Sequence, residues 1–187
     1  ANFNLRASGD WHGSAAANQS HFGIDMSAPS LGNMLDALDY ADIIEGGKTF
    51  ARFDATWPGA PTAFTLSEST GTLEISVDKG RILDVNPGAG GRLFGLFSLS
   101  EIPRRLSLDF SDLFKSGLSF NSINGSFELR DGSAYTDNLL IKSPAADIGI
   151  SGRTGLRDKV YDQEMVVTPH AGVAFPVVGA LAAGPVG

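Results

Sequence analysis

Residues 123–134 read INGSFELRDGSA, and this stretch carries the clearest structural signal in the chain. Ile123, Phe127 and Leu129 all occupy odd-numbered positions, and the residues between them are mostly polar. Side chains of a strand point alternately to its two faces, so this spacing predicts a strand that buries one face. The polar residues predict that the other face meets water.

The Asp131-Gly132 pair directly after this strand is typical of a two-residue hairpin turn. Such a turn has a backbone twist that matches the twist of the two strands it joins. We therefore predict a hairpin in which Leu129 lies opposite Ala134 and Phe127 lies opposite Thr136.

The same alternation returns in two segments after the hairpin. Together with the two hairpin strands they give four successive strands, each with one apolar face. This pattern predicts an antiparallel meander with one dry face and one wet face. The apolar positions are Ala146, Ile148 and Ile150 in the first segment, and Tyr161, Met165 and Val167 in the second.

The N-terminal half predicts more strands and one helix. Residues 2–11 alternate with period two, as do the residues from Thr49 to Leu66. Between Pro29 and Asp39 the apolar residues recur at the spacing of one face of a helix. Ser27 or Ser30 is the predicted N-cap of this helix. The helical apolar stripe consists of Leu31, Met34, Leu35 and Leu38.

Two glycine-containing segments are interpreted as breaks between elements. Gly46-Gly47 is predicted to end the helical region, and Asp78-Lys79-Gly80 to turn one strand into the next. Residues 91–110 are apolar on too many sides to distinguish a buried helix from a buried strand. The fold class that follows is mainly β: a curled antiparallel sheet with an apolar concave face and one or two packed helices.

Composition excludes several classes of function. The chain has 187 residues and a net charge of −7, which argues against binding the phosphate backbone of nucleic acid. It contains no cysteine, so disulfides, thiolate nucleophiles and Cys-ligated zinc are excluded. The three histidines have no metal-binding spacing, and no nucleophile motif is present. We therefore predict no enzymatic activity, no metal and no cofactor.

A longer motif lies in the middle of the chain. Residues 90–99 read GGRLFGLFSL and residues 102–114 read IPRRLSLDFSDLF. Arg104 and Arg105, with Asp109 and Asp112, are interpreted as ion pairs that fix the turn after Pro103. The alternatives are a phosphate-binding or acid/base cluster and contact with a lipid headgroup. The structural motif is defined as Pro103, Arg104, Arg105, Asp109 and Phe110.

This motif resembles the signature of the AsmA-like family, in the C-terminal region of YhdP-type periplasmic proteins. The segments Ser143 to Ala146 and Ile150 to Gly152 match in the same order, and the resemblance covers nearly the whole chain. The chain is accordingly interpreted as a fragment that forms a single AsmA-like C-terminal domain, residues 1–187. Residues 1–90 form a helix-bearing β segment, and residues 91–187 contain the signature and the meander.

The resemblance implies a role in lipid traffic. Proteins of this family are anchored in the inner membrane of Gram-negative bacteria and extend a β-sheet groove across the periplasm. The chain would be the distal end of such a bridge-like protein and carry phospholipid between the inner and outer membranes. Its implied partners are phospholipid acyl chains, the inner leaflet of the outer membrane or an envelope protein, and the remainder of the full-length chain.

The residues of the meander are also consistent with an ordinary closed core. In that case the chain would be a non-catalytic docking or capping module that binds an envelope protein and no lipid. The lipid hypothesis needs a continuous apolar surface, because each CH₂ bared to water costs about 0.8 kcal/mol. The candidates for a lipid groove are Ile123, Phe127, Leu129, Ala134, Ile148, Ile150, Tyr161, Met165 and Val167.

Overall fold

The computed structural model describes residues 3–14, 18–37, 43–83, 117–170 and 181–182. Within these ranges, nine strands form one sheet, and each strand lies beside its neighbours in the chain. All the pairings are antiparallel. The elements are β1 (Asn4–Gly13), β2 (Asn18–Ala28), α1 (Leu31–Asp36), β3 (Ile44–Pro58), β4 (Thr70–Ile82), β5 (Leu118–Arg130), β6 (Ser133–Lys142), β7 (Ala146–Gly155), β8 (Tyr161–Pro169) and β9 (Leu181–Ala182).

The predicted fold class is confirmed. The sheet is open and curled, and strands β5 to β8 form the predicted meander. Buried and exposed residues alternate along β5, which separates a dry face from a wet face. Helix α1 packs on this sheet, and Leu31 and Leu35 contact the apolar core.

The predicted hairpin forms at the Asp131-Gly132 turn, where both residues have positive φ of 53° and 72°. Leu129 pairs with Ala134, as expected from the turn type. The register then shifts between Asn124 and Glu128 because β6 contains one extra residue there. The second predicted pair, Phe127 with Thr136, falls within this irregular part of the ladder.

The side chain of Asn138 takes over a backbone hydrogen bond at this bulge. Its Oδ1 accepts a hydrogen bond from Ser126 N at 2.9 Å, and its Nδ2 donates one to Ser126 Oγ at 2.9 Å. A strand N–H without an acceptor would cost free energy, so this amide stabilises the interruption of the ladder.

A kink crosses strands β3, β4 and β5 at one level of the sheet. Gly46 and Gly47 have positive φ of 72° and 79°, and Lys79, opposite them on β4, has a φ of 50°. On each of the three strands, the buried residues switch between even-numbered and odd-numbered positions at the kink. Because the three strands switch together, the apolar side chains remain on one face. The buried residues on either side of the kink are Ile44 and Thr49, Val77 and Ile82, and Phe120 and Ile123.

The prediction that Asp78-Lys79-Gly80 is a turn between strands is wrong. Strand β4 continues through it to Ile82, which pairs with both Ile44 and Leu118. Gly46-Gly47 likewise lies inside β3 and does not end the helical region. Lys79 does adopt the left-handed backbone of a turn, but the neighbouring strands kink with it and the hydrogen-bonded ladders continue.

Helix α1 begins at Leu31, directly after Ser30, which is one of the two predicted N-caps. The Oγ of Ser30 accepts a hydrogen bond from Asn33 N at 3.2 Å and donates one to the carbonyl of Gly46 at 3.2 Å. Ser27 instead lies in β2. The alternation predicted from Phe64 to Leu66 does not form a strand, because Pro61 begins the first of two 3₁₀ turns, Pro61–Ala63 and Leu66–Glu68.

Some predictions lie outside the described residues. These are the choice between helix and strand for residues 91–110, the structural motif of Pro103, Arg104, Arg105, Asp109 and Phe110, and the position of Leu38.

Candidate functional site

The apolar face of the sheet is continuous from β1 to β8. One row of this face follows the register from Leu5 through Met26 to Ala51 and Ile75. The adjacent row on the same face runs from Val77 through Ile123 to Ile141. It continues from Ile141 through Ile148 to Val167. The fold therefore gives all eight strands apolar residues on one shared surface.

The structure brings the nine predicted groove residues together on this face, across β5 to β8. Six of them are more than nine-tenths buried, with Leu129 at 0% and Phe127 at 2% exposure. Tyr161, Met165 and Val167, on β8, are partly exposed. This part of the face is thus the tightly packed one. The six buried residues are Ile123, Phe127, Leu129, Ala134, Ile148 and Ile150.

The opposite end of the face, on β1 and β2, is open. Leu5 and Trp11 are 56% and 53% exposed, and both point to the apolar side of the sheet. Phe22, Ile24 and Met26, on β2, are partly exposed beside them. We call these five residues the open patch.

Sequence reasoning did not select the open patch as a groove. The alternation of Phe3, Leu5 and Ala7 predicted a half-buried strand, which is the same signal that the meander gives. Alternation identifies the face of a strand but contains no information about what covers that face. The difference in exposure between β1 and β5 appears only in the folded sheet.

Aromatic rings border the open patch. Phe22 stacks on Trp57 with ring centroids 5.5 Å apart, and Trp57 meets Phe64 edge-on at 5.1 Å. Trp57 Nε1 donates a hydrogen bond to the carbonyl of Ala60 at 3.2 Å, so its single polar group is satisfied. The edge of the patch is therefore apolar and is stabilised by contacts between aromatic rings.

The wet face carries the ionisable groups, largely as exposed ion pairs. Arg52 Nε donates to Asp25 Oδ1 at 2.9 Å. This hydrogen bond, and the charge of Asp25, raise the pKa of the Arg52 guanidinium. His21 Nε2 lies 3.1 Å from Asp54 Oδ1.

The histidines of the described ranges do not converge on a metal. His12 lies 2.9 Å from Asp10, and His170 contacts Asp147 at 3.1 Å at the other end of the sheet. No group of three or more His, Asp or Glu in the described part of the chain is arranged to hold a metal ion. In the same part of the chain, no helix is long and apolar enough to cross a membrane.

Comparison with known proteins identifies the family. The family described as YhdP protein matches the chain over residues 1–187. The chain is 31% identical over 134 residues to the Intermembrane phospholipid transporter YhdP of Escherichia coli (strain K12). That alignment covers 72% of this chain and 11% of the relative, so the chain spans only a small part of its length. No solved structure matches the chain. Because the family match extends over every residue, the chain belongs to the YhdP family.

Proposed function

We propose that this chain is a periplasmic, non-catalytic part of a bridge-like lipid-transfer protein and contacts phospholipid acyl chains through its apolar face. It would lie at the distal end of the bridge, where phospholipid passes between the inner and outer membranes. The observation that carries the proposal is the unbroken apolar face of eight strands, open at β1 and β2. The transport activity named for the E. coli relative supports the same assignment.

The open patch is the part of this face that acyl chains can reach in the described structure. Covering the methylenes of one sixteen-carbon chain is worth about 12 kcal/mol at ~0.8 kcal/mol for each CH₂. Leu5 and Trp11 offer exposed apolar surface without any charged neighbour on the same face of β1. Such a surface favours acyl chains and disfavours a phosphate group, which would lose its hydration there.

The predicted groove residues on β5 to β8 form the continuation of this surface. Met165 and Val167 are partly exposed on β8, whereas Leu129 and Ile148 are buried. We propose that acyl chains contact the two ends of the face, and that the buried residues between them keep the sheet rigid.

Site-specific photocrosslinking tests the proposal on neighbouring residues. Leu5 and Arg6 are adjacent on β1 but point to opposite faces, since Leu5 pairs with Met26 and Arg6 with Asp25. A photoreactive amino acid at position 5 should form adducts with phospholipid in Gram-negative cells, and the same group at position 6 should not. Equal labelling at both positions, or none at position 5, would contradict the proposal.

The alternative function is docking to an envelope protein without lipid. The closed packing of β5 to β7 favours it, because Leu129 and Ile141 are both 0% exposed and leave no space for an acyl chain there. Native mass spectrometry and lipid extraction of the purified chain separate the two functions. Near-stoichiometric phospholipid supports lipid contact, and a folded, lipid-free chain whose position 5 crosslinks to protein supports docking.

A further inference from the structure

One row of residues on the wet face differs from its neighbours by having no charge. The register places these residues side by side across eight strands. Row members on β3 to β5 are Phe50, Ser76 and Asn124. The next row towards the kink contains Lys48 and Asp78 instead. The uncharged row consists of Asn4, Ser27, Phe50, Ser76, Asn124, Leu140, Gly149 and Val166.

A depression of about 380 Å³ lies on this row between β3 and β6. Phe50 forms one wall, and this residue is 44% exposed. The guanidinium of Arg52 lies 5.8 Å from the ring centroid and is itself paired with Asp25. Asn138, at the bulge of β6, lines the other side of the depression. We call this feature the Phe50 depression.

The polar groups of the Phe50 depression are amides, hydroxyls and one carboxylate. Ser76 Oγ donates to Asn124 Oδ1 at 2.8 Å, and Asn138 is held by Ser126. A carboxamide has two N–H donors and an oxygen with two lone pairs, so each amide retains capacity beyond these bonds. Glu74 adds a carboxylate acceptor at the edge. These groups suit a ligand rich in hydroxyls, which both donate and accept.

We propose that the Phe50 depression binds a neutral saccharide. The C–H groups on one face of a sugar ring complement the negative face of an aromatic ring, and the sugar hydroxyls complement Asn124, Asn138 and Glu74. The site is on the face opposite the open patch, so it is independent of lipid contact.

The charge around the depression favours a neutral sugar over an anionic one. The lining includes the carboxylate of Glu74, and the guanidinium of Arg52 beside the Phe50 ring is paired with Asp25. A second depression of about 580 Å³ shares Ser126 with the first and continues it along the sheet, which gives room for an oligosaccharide. Its acidic lining disfavours a carboxylated sugar, despite the presence of Arg153. These acidic residues are Glu128, Asp137, Asp162 and Glu164.

A protein partner is less well matched to this surface. Protein interfaces centre on clustered apolar anchors surrounded by a polar rim. Phe50 and Val166 are the large exposed apolar side chains of the row, and they lie five strands apart, about 24 Å at the usual strand spacing. They therefore do not form one apolar centre.

Titration of the purified 187-residue chain with chitotetraose tests the proposal. Binding is measured by isothermal titration calorimetry and by the shifts of backbone amide signals in NMR spectra. We expect saturable binding, with shifts centred on β3 to β5 near Phe50. Phe50→Ala should weaken binding at least tenfold, whereas Val166→Ala, an equally exposed residue outside the depression, should not change it. Thermal melting of both variants checks that the fold is retained, and a second variant, Asn124→Leu, removes the amide while Phe50 remains.

The sugar can belong to a free glycan chain or to the head group of a lipid. Binding of soluble chitotetraose supports a glycan. Binding only to vesicles that contain a neutral glycosyl-headgroup lipid, lost in Phe50→Ala, supports a lipid head group. No binding to either probe, equal loss in Phe50→Ala and Val166→Ala, or tighter binding of tetragalacturonate than of chitotetraose would overturn the proposal.

Discussion

The ring of Phe120 on β5 lies directly over the bare backbone of Gly80 on β4. A β-carbon at Gly80 would stand 2.6 Å from Phe120 Cζ and 2.8 Å from the carbonyl oxygen of Glu45. We expect Gly80→Ala to lower the free energy of unfolding by about 1–3 kcal/mol, because backbone and ring must both shift. Urea denaturation measures the change.

Gly149 provides the matched control for Gly80. It also lies in a strand, but the nearest atom to an added β-carbon is the carbonyl oxygen of Val166 at 4.0 Å. Gly149→Ala should leave stability unchanged or raise it by about 0.5 kcal/mol, through the lower entropy of the unfolded chain. Equal losses in the two variants would contradict the packing of Phe120 against Gly80.

The closed part of the apolar face should be sensitive to cavities. Leu129 is 0% exposed, so Leu129→Ala should cost about 2–5 kcal/mol of unfolding free energy. Leu5 is 56% exposed, and Leu5→Ala should change stability by about 0.5 kcal/mol or less. Chemical denaturation of both variants compares the two ends of the face, and a similar cost at both would show that they are equally packed.

Helix α1 should depend on Ser30 and not on Ser27. Ser30 Oγ bonds both Asn33 N and the carbonyl of Gly46, so it connects the helix start to the kink of β3. Ser30→Ala should lower the unfolding free energy by about 1–2 kcal/mol, whereas Ser27→Ala should have little effect. Differential scanning calorimetry gives both values, and a larger loss in Ser27→Ala would reassign the cap.

The kink should resist a β-branched residue at position 79. Lys79 has a φ of 50°, a left-handed conformation that valine adopts poorly. Lys79→Val should cost about 1–2 kcal/mol, and Thr72→Val, at an exposed site on the same strand, should be close to neutral. Unfolding midpoints measured in parallel test this, and a neutral Lys79→Val would mean that the kink is not strained.

Lipid contact should depend on the chemistry of the open patch. Leu5→Lys places a charge on the apolar face, where it would be desolvated by an acyl chain, so the amount of co-purified phospholipid should fall at least twofold. Ser8→Lys, on the wet face of the same strand, should leave it unchanged. Quantitative lipid extraction compares the two, and the same lipid content in both would remove the open patch from the contact surface.

Alternation was sufficient to predict the strands of the meander because, apart from the bulge of β6 and the kink of β5, their period is undisturbed. Ile148 and Ile150 on β7, and Met165 and Val167 on β8, share a face as expected, and the Asp131-Gly132 turn sets the first predicted pair, Leu129 with Ala134. These features depend on neighbours in sequence, which is the range over which patterns are informative.

The kink and the open patch could not be predicted in this way. Asp78-Lys79-Gly80 has the composition of a turn, and Lys79 has its backbone conformation, yet the partner strands hold β4 extended through it. Whether Leu5 is open and Leu129 closed depends on the packing of distant segments. The YhdP resemblance, in contrast, was recognised from the sequence and is confirmed by the family match.

The sequential strand order also has a consequence for assembly of the sheet. Each strand of the described residues pairs with the preceding and the following strand, and four of the eight pairings (β1–β2, β5–β6, β6–β7 and β7–β8) are local hairpins that close short loops. Such a sheet can nucleate at one tight turn, such as the one between β5 and β6, and zip outward in both directions. Adding a hairpin at either margin would leave every existing pairing intact, so this architecture can grow in length during evolution by simple duplication.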